Sequence, residues 1–181
     1  MAHGLKRKLD YSDIAAAPND GNRYELVQGE LLVNPAPSPM HQRISRRLLL
    51  QLASYFHERA LGEVFYAPLD VILTTHDVFE PDLLVVADPS HVSKRGIEKP
   101  PLLVIEILSP STCGVDRGIK SRRYAELGVQ HYWIVDPDEK RLECFRLAAG
   151  AFAPLVEANG NAMLAHPDWD GLVVDLAALW L

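Results

Sequence analysis

Short aliphatic runs alternate along the chain with polar segments that contain proline or glycine. The two most apolar runs, residues 83–86 and 102–108, are bounded by proline or polar residues, which is typical of buried strands. The segment between them, residues 88–101, is too short and too charged for a crossover helix, so we predict that the two strands pair antiparallel. A third run, residues 132–135, follows a helical segment and is predicted to lie parallel to the second strand through a right-handed crossover.

Two segments repeat their apolar residues at the spacing of a helix. The first begins with Ser38, whose side chain can cap a helix, and Pro39, which suits the first helical position; its apolar face consists of Ile44, Leu48, Leu52, Tyr55 and Phe56. The second covers residues 115–127 and is ended by Gly128. Strands and helices in this order predict an α/β domain in which helices flank a central mixed sheet.

Shorter patterns predict structure that is added to this sheet. Residues 24–33 and 141–155 each predict a β-hairpin, because Gln28-Gly29 and Ala149-Gly150 supply turns between strand-like segments. The polar segment 74–80 is predicted to be a turn that leads into the first buried strand. The expected fold class is therefore α/β, with a central mixed sheet, flanking helices and added β-hairpins.

Length and composition bound the class of protein. A chain of 181 residues with 48% hydrophobic and 23% charged residues is typical of one soluble domain with a sizeable core. We expect an N-terminal extension at residues 1–22 and a single domain at residues 23–181. No apolar run approaches the length of a membrane span and no secretion signal opens the chain, so we expect a cytoplasmic protein with no membrane partner.

Charge and cysteine content exclude two simple functional classes. The formal net charge of −6 argues against a generally cationic nucleic-acid binder, so any contact with DNA must come from a local basic face. Cys113 and Cys144 lie in no CxxC or Cys/His spacing. They are expected to be free thiols in a reducing compartment, and not ligands of zinc.

Two carboxylates stand out because they interrupt apolar strands. Asp82 opens the first strand and Glu106 lies inside the second, where a charge is costly unless it is paired or binds a metal. In an antiparallel pair, the start of the first strand lies beside the end of the second, so the two carboxylates can meet at one edge of the sheet. The helix at residues 115–127 begins at that edge, and Lys120 in its second turn can point back at them.

Two acids at adjacent strand ends, followed by a lysine, resemble the PD-(D/E)XK nuclease superfamily, which has the restriction-endonuclease-like fold. Pro81-Asp82 and Glu106 match its signature, but Leu108 stands where a lysine is expected. The chain resembles more closely the Uma-type family of restriction endonuclease-like proteins, across about residues 20–180. The matching segments are YELVQGEL (24–31), PSPMHQRI (37–44), PDLLVV (81–86), VIEILSPST (104–112) and GVQHYWIVDP (128–137).

The resemblance implies an endonuclease that hydrolyses phosphodiester bonds, in DNA, with Mg²⁺ or Mn²⁺. The implied metal ligands are Asp82, Glu106 and the backbone carbonyl of Ile107, and oxygen ligands of this kind suit a hard cation. In that family the lysine comes from the helix after the Glu strand, which makes Lys120 the third catalytic residue. Lys120 would orient or deprotonate the attacking water and offset charge on the phosphate.

Further residues are predicted to assist this site. Accessory roles are assigned to Glu30, His41 and Asp70, with His41 expected to position other groups and not to bind the metal. Contacts to nucleic acid are assigned to a basic stripe on the first long helix and to one residue of the second, namely Arg43, Arg46, Arg47 and Arg117. The protein is expected to act as a homodimer.

Three other functions remain open from the sequence. A nuclease fold that has become a binding or regulatory module would retain the sheet without activity. A hydrolase of RNA or of small phosphoesters would use the same site, because a fold does not specify a substrate. A purely structural protein that assembles through an exposed strand would need no metal.

Overall fold

A six-stranded sheet forms the centre of the structure, which is a computed structural model that describes residues 7–181. In spatial order its strands are β10 (Ala151–Asn159), β9 (Arg141–Ala148), β8 (His131–Asp136), β7 (Leu103–Ile107), β6 (Leu83–Val86) and β3 (Glu63–Tyr66). The strands β6 and β7 pair antiparallel and β7 and β8 pair in parallel, as predicted from the apolar runs. The remaining neighbours pair antiparallel, so the sheet is mixed.

A second, four-stranded sheet covers part of the first. Its strands are, in spatial order, β2 (Glu30–Asn34), β1 (Arg23–Val27), β5 (Asp77–Phe79) and β4 (Val71–Thr74). The predicted hairpin is β1 and β2, and Gln28 and Gly29 turn the chain with φ values of 55° and 82°. The prediction of a turn over residues 74–80 was wrong, because β5 lies there with Val78 and Phe79 fully buried. A strand of three residues is too short to give a periodic signal.

Helices pack around the two sheets. They are α1 (Tyr11–Ala15), α2 (Pro39–Glu58), α3 (Cys113–Val115), α4 (Ser121–Glu126) and α5 (Leu176–Trp180). The helix α2 starts as predicted, with the Ser38 side chain accepting a hydrogen bond from the backbone N–H of His41 at 3.2 Å. The helix predicted at 115–127 differs from expectation, because a π-helical turn at Asp116–Lys120 separates α3 from α4.

The two faces of the central sheet are buried by different elements. Alternating residues of β7 and β8, such as Ile105 and Trp133, face α2 and α5. Their neighbours Val104 and Tyr132 face the second sheet and α4. The C-terminal pair β11 (Met163–Ala165) and β12 (Val173–Asp175) contributes to the first of these layers. No helix within residues 7–181 has the length and apolar character needed to cross a bilayer.

The predicted N-terminal extension is partly described. Its first six residues lie outside the described part of the chain. In the rest, Leu9, Tyr11 and Ile14 pack against Leu26 and Val78 of the second sheet. This segment therefore supports the outer side of the sheet whose inner side faces the cleft described next.

Candidate active site

A cleft of about 250 Å³ opens at the edge of the central sheet where β7 ends, between the first turn of α2 and the π-helical turn. Its lining includes Asp82, Glu106, Ile107 and Lys120. The antiparallel pairing of β6 and β7 places Asp82, just before β6, beside the end of β7. The structure thus brings together the four residues to which the sequence assigned catalysis and metal binding, while their roles remain a prediction.

Asp82 is held as an ion by three donors. Its Oδ1 atom accepts from Arg23 Nη1 at 2.7 Å, and its Oδ2 atom accepts from the backbone N–H of Ile107 at 2.7 Å and lies 3.0 Å from His41 Nε2. Burial by itself would raise the pKa of Asp82, which is only 3% exposed, but His41, Arg23 and the Ile107 N–H outweigh burial and lower it. Asp82 therefore keeps its negative charge inside the protein.

Lys120 is the centre of a buried ionic group. Its Nζ atom lies 2.6 Å from Glu106 Oε1, 3.0 Å from Glu25 Oε1 and 3.5 Å from Asp116 Oδ1. Burial would lower the pKa of Lys120, but Glu106, Glu25 and Asp116 outweigh it and raise the pKa well above its usual value. We call these four residues the Lys120 cluster, and it contains three carboxyl groups for one ammonium group.

The excess of carboxyl groups over ammonium groups in this cluster affects the pKa of Glu106. Tyr124 donates its hydroxyl proton to Glu106 Oε1 at 3.0 Å. Burial, joined by the nearby charges of Asp116 and Asp82, raises the pKa of Glu106 well above its usual value, although Lys120 opposes this. Additional positive charge would therefore stabilise this part of the cleft.

The π-helical turn sets the position of Lys120. Asp116 and Lys120 are its first and last residues, and both side chains are buried. The backbone carbonyl of Asp116 accepts a hydrogen bond from the Tyr132 hydroxyl at 3.0 Å, which anchors the turn to β8. Wider turns of this type are rare and are frequent at functional sites.

The donor set of the cleft fits a magnesium-like cation. Asp82, Glu106 and the Ile107 carbonyl offer only oxygen atoms, and Mg²⁺ is commonly bound by one or two carboxylates that leave the other positions to water and phosphate. Within residues 7–181 there is no cluster of three or more His, Cys, Asp or Glu side chains arranged for a metal. A cation here would depend on two carboxylates, the carbonyl and water, and its charge would offset the surplus of acid.

Of the three residues that were predicted to assist the site, only one lies at the cleft. His41 lines it and contacts Asp82. The other two predictions need correction, because Glu30 is exposed at the hairpin turn and Asp70 lies before β4 in the second sheet, and neither lines the cleft. Glu25 is the acid of the hairpin that reaches Lys120, since it lies on the side of β1 that faces the central sheet, together with Val27.

The four arginines predicted to contact nucleic acid differ in whether their side chains are exposed or bound within the protein. Arg43 and Arg46 are exposed on α2. Arg47 instead donates to the backbone carbonyl of Leu179 in the last helix, at 3.1 Å, and to a backbone oxygen of Leu181, which follows that helix. Arg117 pairs with Glu143 and Asp136. The guanidinium groups of Arg47 and Arg117 are therefore bound within the protein, and their contacts with nucleic acid stay a prediction.

Arg23 is the site residue that sequence reasoning missed, while Glu25, beside the predicted hairpin turn, could be either an exposed strand carboxylate or an accessory acid near the metal. Both lie on β1, far from the apolar strands in sequence, and no local pattern connects them to Asp82 or Lys120. Arg23 also lies 3.9 Å from Glu80, whose pKa is raised to about 7 by burial against the opposing effect of Arg23. The signal that could have found them is the period of two in β1, which places Arg23, Glu25 and Val27 on one side.

Comparison with known proteins relates this geometry to other chains. Residues 10–177 match a family that is described as Uma2, putative restriction endonuclease. A protein of Synechocystis named uncharacterized protein slr1290 is 29% identical over 125 residues, which are 68% of this chain and 65% of that protein. The match thus spans just under two thirds of that relative.

A solved structure resembles the whole fold. It is the crystal structure of a putative nuclease belonging to DUF820 from Anabaena variabilis, with a TM-score of 0.75 and 19% identity. The similarity covers 95% of this chain and 97% of the other. At this level of identity the likeness concerns the fold, and it confirms the predicted α/β architecture with a central mixed sheet and flanking helices.

Proposed function

The chain belongs to the Uma2 family of restriction endonuclease-like proteins, and from this premise we propose that it hydrolyses phosphodiester bonds of DNA with the help of Mg²⁺ or Mn²⁺. The observation that carries the proposal is the meeting of Asp82, Glu106 and Lys120 in one cleft that contains more acid than base. Such a cleft repels a phosphate unless a cation is present. The same cleft is therefore suited to bind a divalent cation first and a phosphodiester through it.

Each side chain has a distinct part in this proposal. Asp82 and Glu106, with the carbonyl of Ile107, would hold the cation, which when bound polarises a phosphoryl oxygen and lowers the pKa of its water. Lys120 carries its ammonium group beside Glu106, where it would orient the attacking water and offset charge that builds up on the phosphate. His41 and Arg23 fix the orientation of the Asp82 carboxylate.

The proposal is tested by incubating the protein with supercoiled, linear and single-stranded DNA and with RNA, in Mg²⁺ or Mn²⁺ and in chelator. We expect cleavage of DNA that needs the cation. Cleavage of RNA but not of DNA would mean that RNA is the substrate. Binding of nucleic acid without cleavage under every condition would favour a nuclease fold that has become a binding or regulatory module. The predicted homodimer is a separate question that light scattering of the free protein would answer.

The first prediction concerns the cleft residues in this assay. Asp82→Asn retains the shape of the side chain but removes its charge, so we expect cleavage to be abolished while the circular dichroism spectrum is unchanged. Lys120→Met should reduce turnover by at least about a hundredfold. Arg122→Gln, at an exposed position of α4 that does not line the cleft, is the matched control. Parental rates in both cleft variants would contradict the proposed site.

A further inference from the structure

A second groove, of about 660 Å³, adjoins the active-site cleft. The two depressions share Arg23, Pro37, His41 and Asp82 in their linings. Apart from these shared residues, the groove has no part in the chemistry proposed above. A polymer that crosses the cleft at Asp82 reaches the groove next, because the two depressions adjoin at that residue.

One wall of the groove is a polar stripe of α2. Gln42, Ser45, Arg46 and Leu49 all line it, and their spacing of three, four and seven residues places them on one side of the helix. The polar members of this stripe lie beside the buried face, which contains Ile44 and Leu48, and Leu49 packs partly against that core. Arg46 is exposed, so it can provide positive charge about one helical turn beyond Gln42.

The opposite wall is formed by the end of an edge strand. Tyr66 is the last residue of β3 and its side chain is 58% exposed. Ala67 and Pro68 follow it in the lining. An exposed aromatic ring beside small apolar residues offers a flat surface on which a nucleic-acid base can stack. The groove thus combines an aromatic platform, the guanidinium group of Arg46 and neutral hydrogen-bonding side chains. Its two carboxyl groups, Glu80 and Asp82, lie near the guanidinium group of Arg23, which also lines the groove.

We propose that this groove binds an unpaired nucleotide next to the scissile phosphate, with its base on Tyr66 and a backbone phosphate near Arg46. This inference rests on the proposed function and specifies its substrate class, DNA with a single-stranded or frayed segment. The physical reason is that the faces of bases in a duplex are covered by their neighbours, so a protein ring can stack only on a base that has left the helix. A volume of this size lies within the range of roughly 300–1,000 Å³ that small ligands occupy.

The test uses equilibrium binding, which needs no cleavage. Fluorescence anisotropy would follow the binding of a labelled oligodeoxynucleotide of about a dozen nucleotides, either single-stranded or annealed to its complement. Binding is measured in metal-free buffer, and in Mg²⁺ with the Asp82→Asn variant, which is expected not to cleave the probe. We expect the single strand to bind at least about tenfold more tightly than the duplex. Tyr66→Ala should weaken single-strand binding by about tenfold, within the range measured for loss of one stacked base.

Matched variants separate stacking from charge. Tyr66→Phe retains the ring and should leave the affinity within about twofold of the parent. Arg46→Gln should reduce the slope of log affinity against log salt by about 0.7, as expected for one phosphate contact on a single strand. Arg122→Gln removes an arginine outside the groove and should leave that slope unchanged.

The outcomes distinguish this inference from the proposed hydrolysis. Equal binding of single strand and duplex, or single-strand binding that Tyr66→Ala does not weaken, overturns the groove inference even if the protein cleaves DNA. Single-strand binding that depends on Tyr66, in a protein that cleaves nothing with Mg²⁺ or Mn²⁺, supports the groove and overturns the hydrolysis.

Discussion

The central sheet buries polar side chains on both of its faces, and the two groups differ in charge. The Lys120 cluster lies on the face toward the second sheet, where ammonium and carboxyl groups lie 2.6–3.5 Å apart. On the opposite face, His131, Trp133, His166 and Trp169 form an aromatic cluster. Consecutive residues of β8 separate the two, since Tyr132 faces Tyr124 and Trp133 faces His166.

The aromatic cluster is held by ring contacts. The rings of His166 and Trp169 stack with centroids 4.3 Å apart, and those of His166 and Trp133 lie 5.3 Å apart. Three buried nitrogen atoms of this cluster have no hydrogen-bond partner among the described residues, namely His131 Nδ1, Trp133 Nε1 and His166 Nε2. Burial lowers the pKa of His166 to about 4. Both properties favour neutral imidazoles near pH 7.

The comparison shows what decides whether a buried polar group keeps its charge. At Lys120, three carboxyl groups outweigh the cost of burial, and the cluster retains charge that a cation or phosphate can use. At His166, burial has the largest effect, His131 and Arg146 act in the same direction, and only Asp168 opposes them, so the pKa is lowered and the group is neutral near pH 7. The charged cluster is thus suited to chemistry and the neutral one to packing, although both lie in the interior.

The largest expected effect on stability is that of Lys120→Met. The substitution leaves Glu25, Glu106 and Asp116 buried without a cation, and breaking a buried ion pair in this way costs about 3–5 kcal/mol. Urea denaturation at pH 7 without metal measures the loss in free energy of unfolding. The loss should be smaller at pH 5, because the carboxyl groups then bind protons more readily.

The control for that variant is Lys99→Met, at an exposed position. It should change the free energy of unfolding by no more than about 0.5 kcal/mol. If Lys120→Met were as mild as this control, the contrast between the charged and the neutral cluster would fail, since the ammonium group would not be compensating buried carboxylates.

The next largest effect is expected from acid acting on His166. Its pKa is about 4 in the folded protein and about 6.5 in an unfolded chain, so between these values the unfolded state binds more protons. Stability from this residue is therefore complete above pH 6.5 and is lost as the pH falls toward 4. Between pH 7 and pH 5 the loss is about 2 kcal/mol.

His166→Phe tests this by keeping an aromatic ring that cannot titrate. The variant should lose about 2 kcal/mol less than the parent when urea denaturation at pH 5 is compared with that at pH 7. His57→Phe, on the last turn of α2 and away from the aromatic cluster, controls for the removal of any histidine. An identical pH dependence in parent and His166→Phe would mean that the buried imidazole is not kept neutral.

The residues at the active-site cleft show how much of the candidate site could be predicted from sequence. Asp82 and Glu106 were predictable because each interrupts a local apolar run, and Lys120 because its helix starts where β7 ends. The contacts of Arg23 with Asp82 and of Glu25 with Lys120 were not predictable, since Glu25 precedes Lys120 by 95 residues and only tertiary structure joins them.

The shape of the helical segment that contains Lys120 was a second feature that the sequence did not predict. Periodicity predicts a regular helix over 115–127, but the observed chain widens to a π-helical turn at Asp116–Lys120. The residues at the two ends of this turn make the hydrogen bond from Tyr132 to the Asp116 carbonyl and the buried ion pairs of Lys120. Such contacts have no signature in a pattern of hydrophobic and polar positions.

The smallest expected effect is that of Glu25→Gln, which removes one of the three carboxylates. The change loses the attraction between Glu25 and Lys120 at 3.0 Å, but it also removes repulsion from Glu106, whose pKa is raised by burial and by neighbouring acids that include Glu25. A glutamine oxygen can still accept from the backbone N–H of Glu80, which donates to Glu25 at 2.8 Å. Asn34, which donates to the other oxygen at 2.6 Å, can rotate its amide to face the new NH₂ group.

Because these terms oppose one another, the free energy of unfolding should change by no more than about 1 kcal/mol in urea at pH 7. Combined with Lys120→Met, the same substitution should restore part of the lost stability, since one fewer carboxylate is then left unpaired. The coupling between the two sites is read from the double-mutant cycle. Strictly additive losses would mean that Glu25 and Lys120 do not share one electrostatic cluster. A loss of several kcal/mol from Glu25→Gln alone would mean that Glu25 is the principal partner of Lys120 and not one of three.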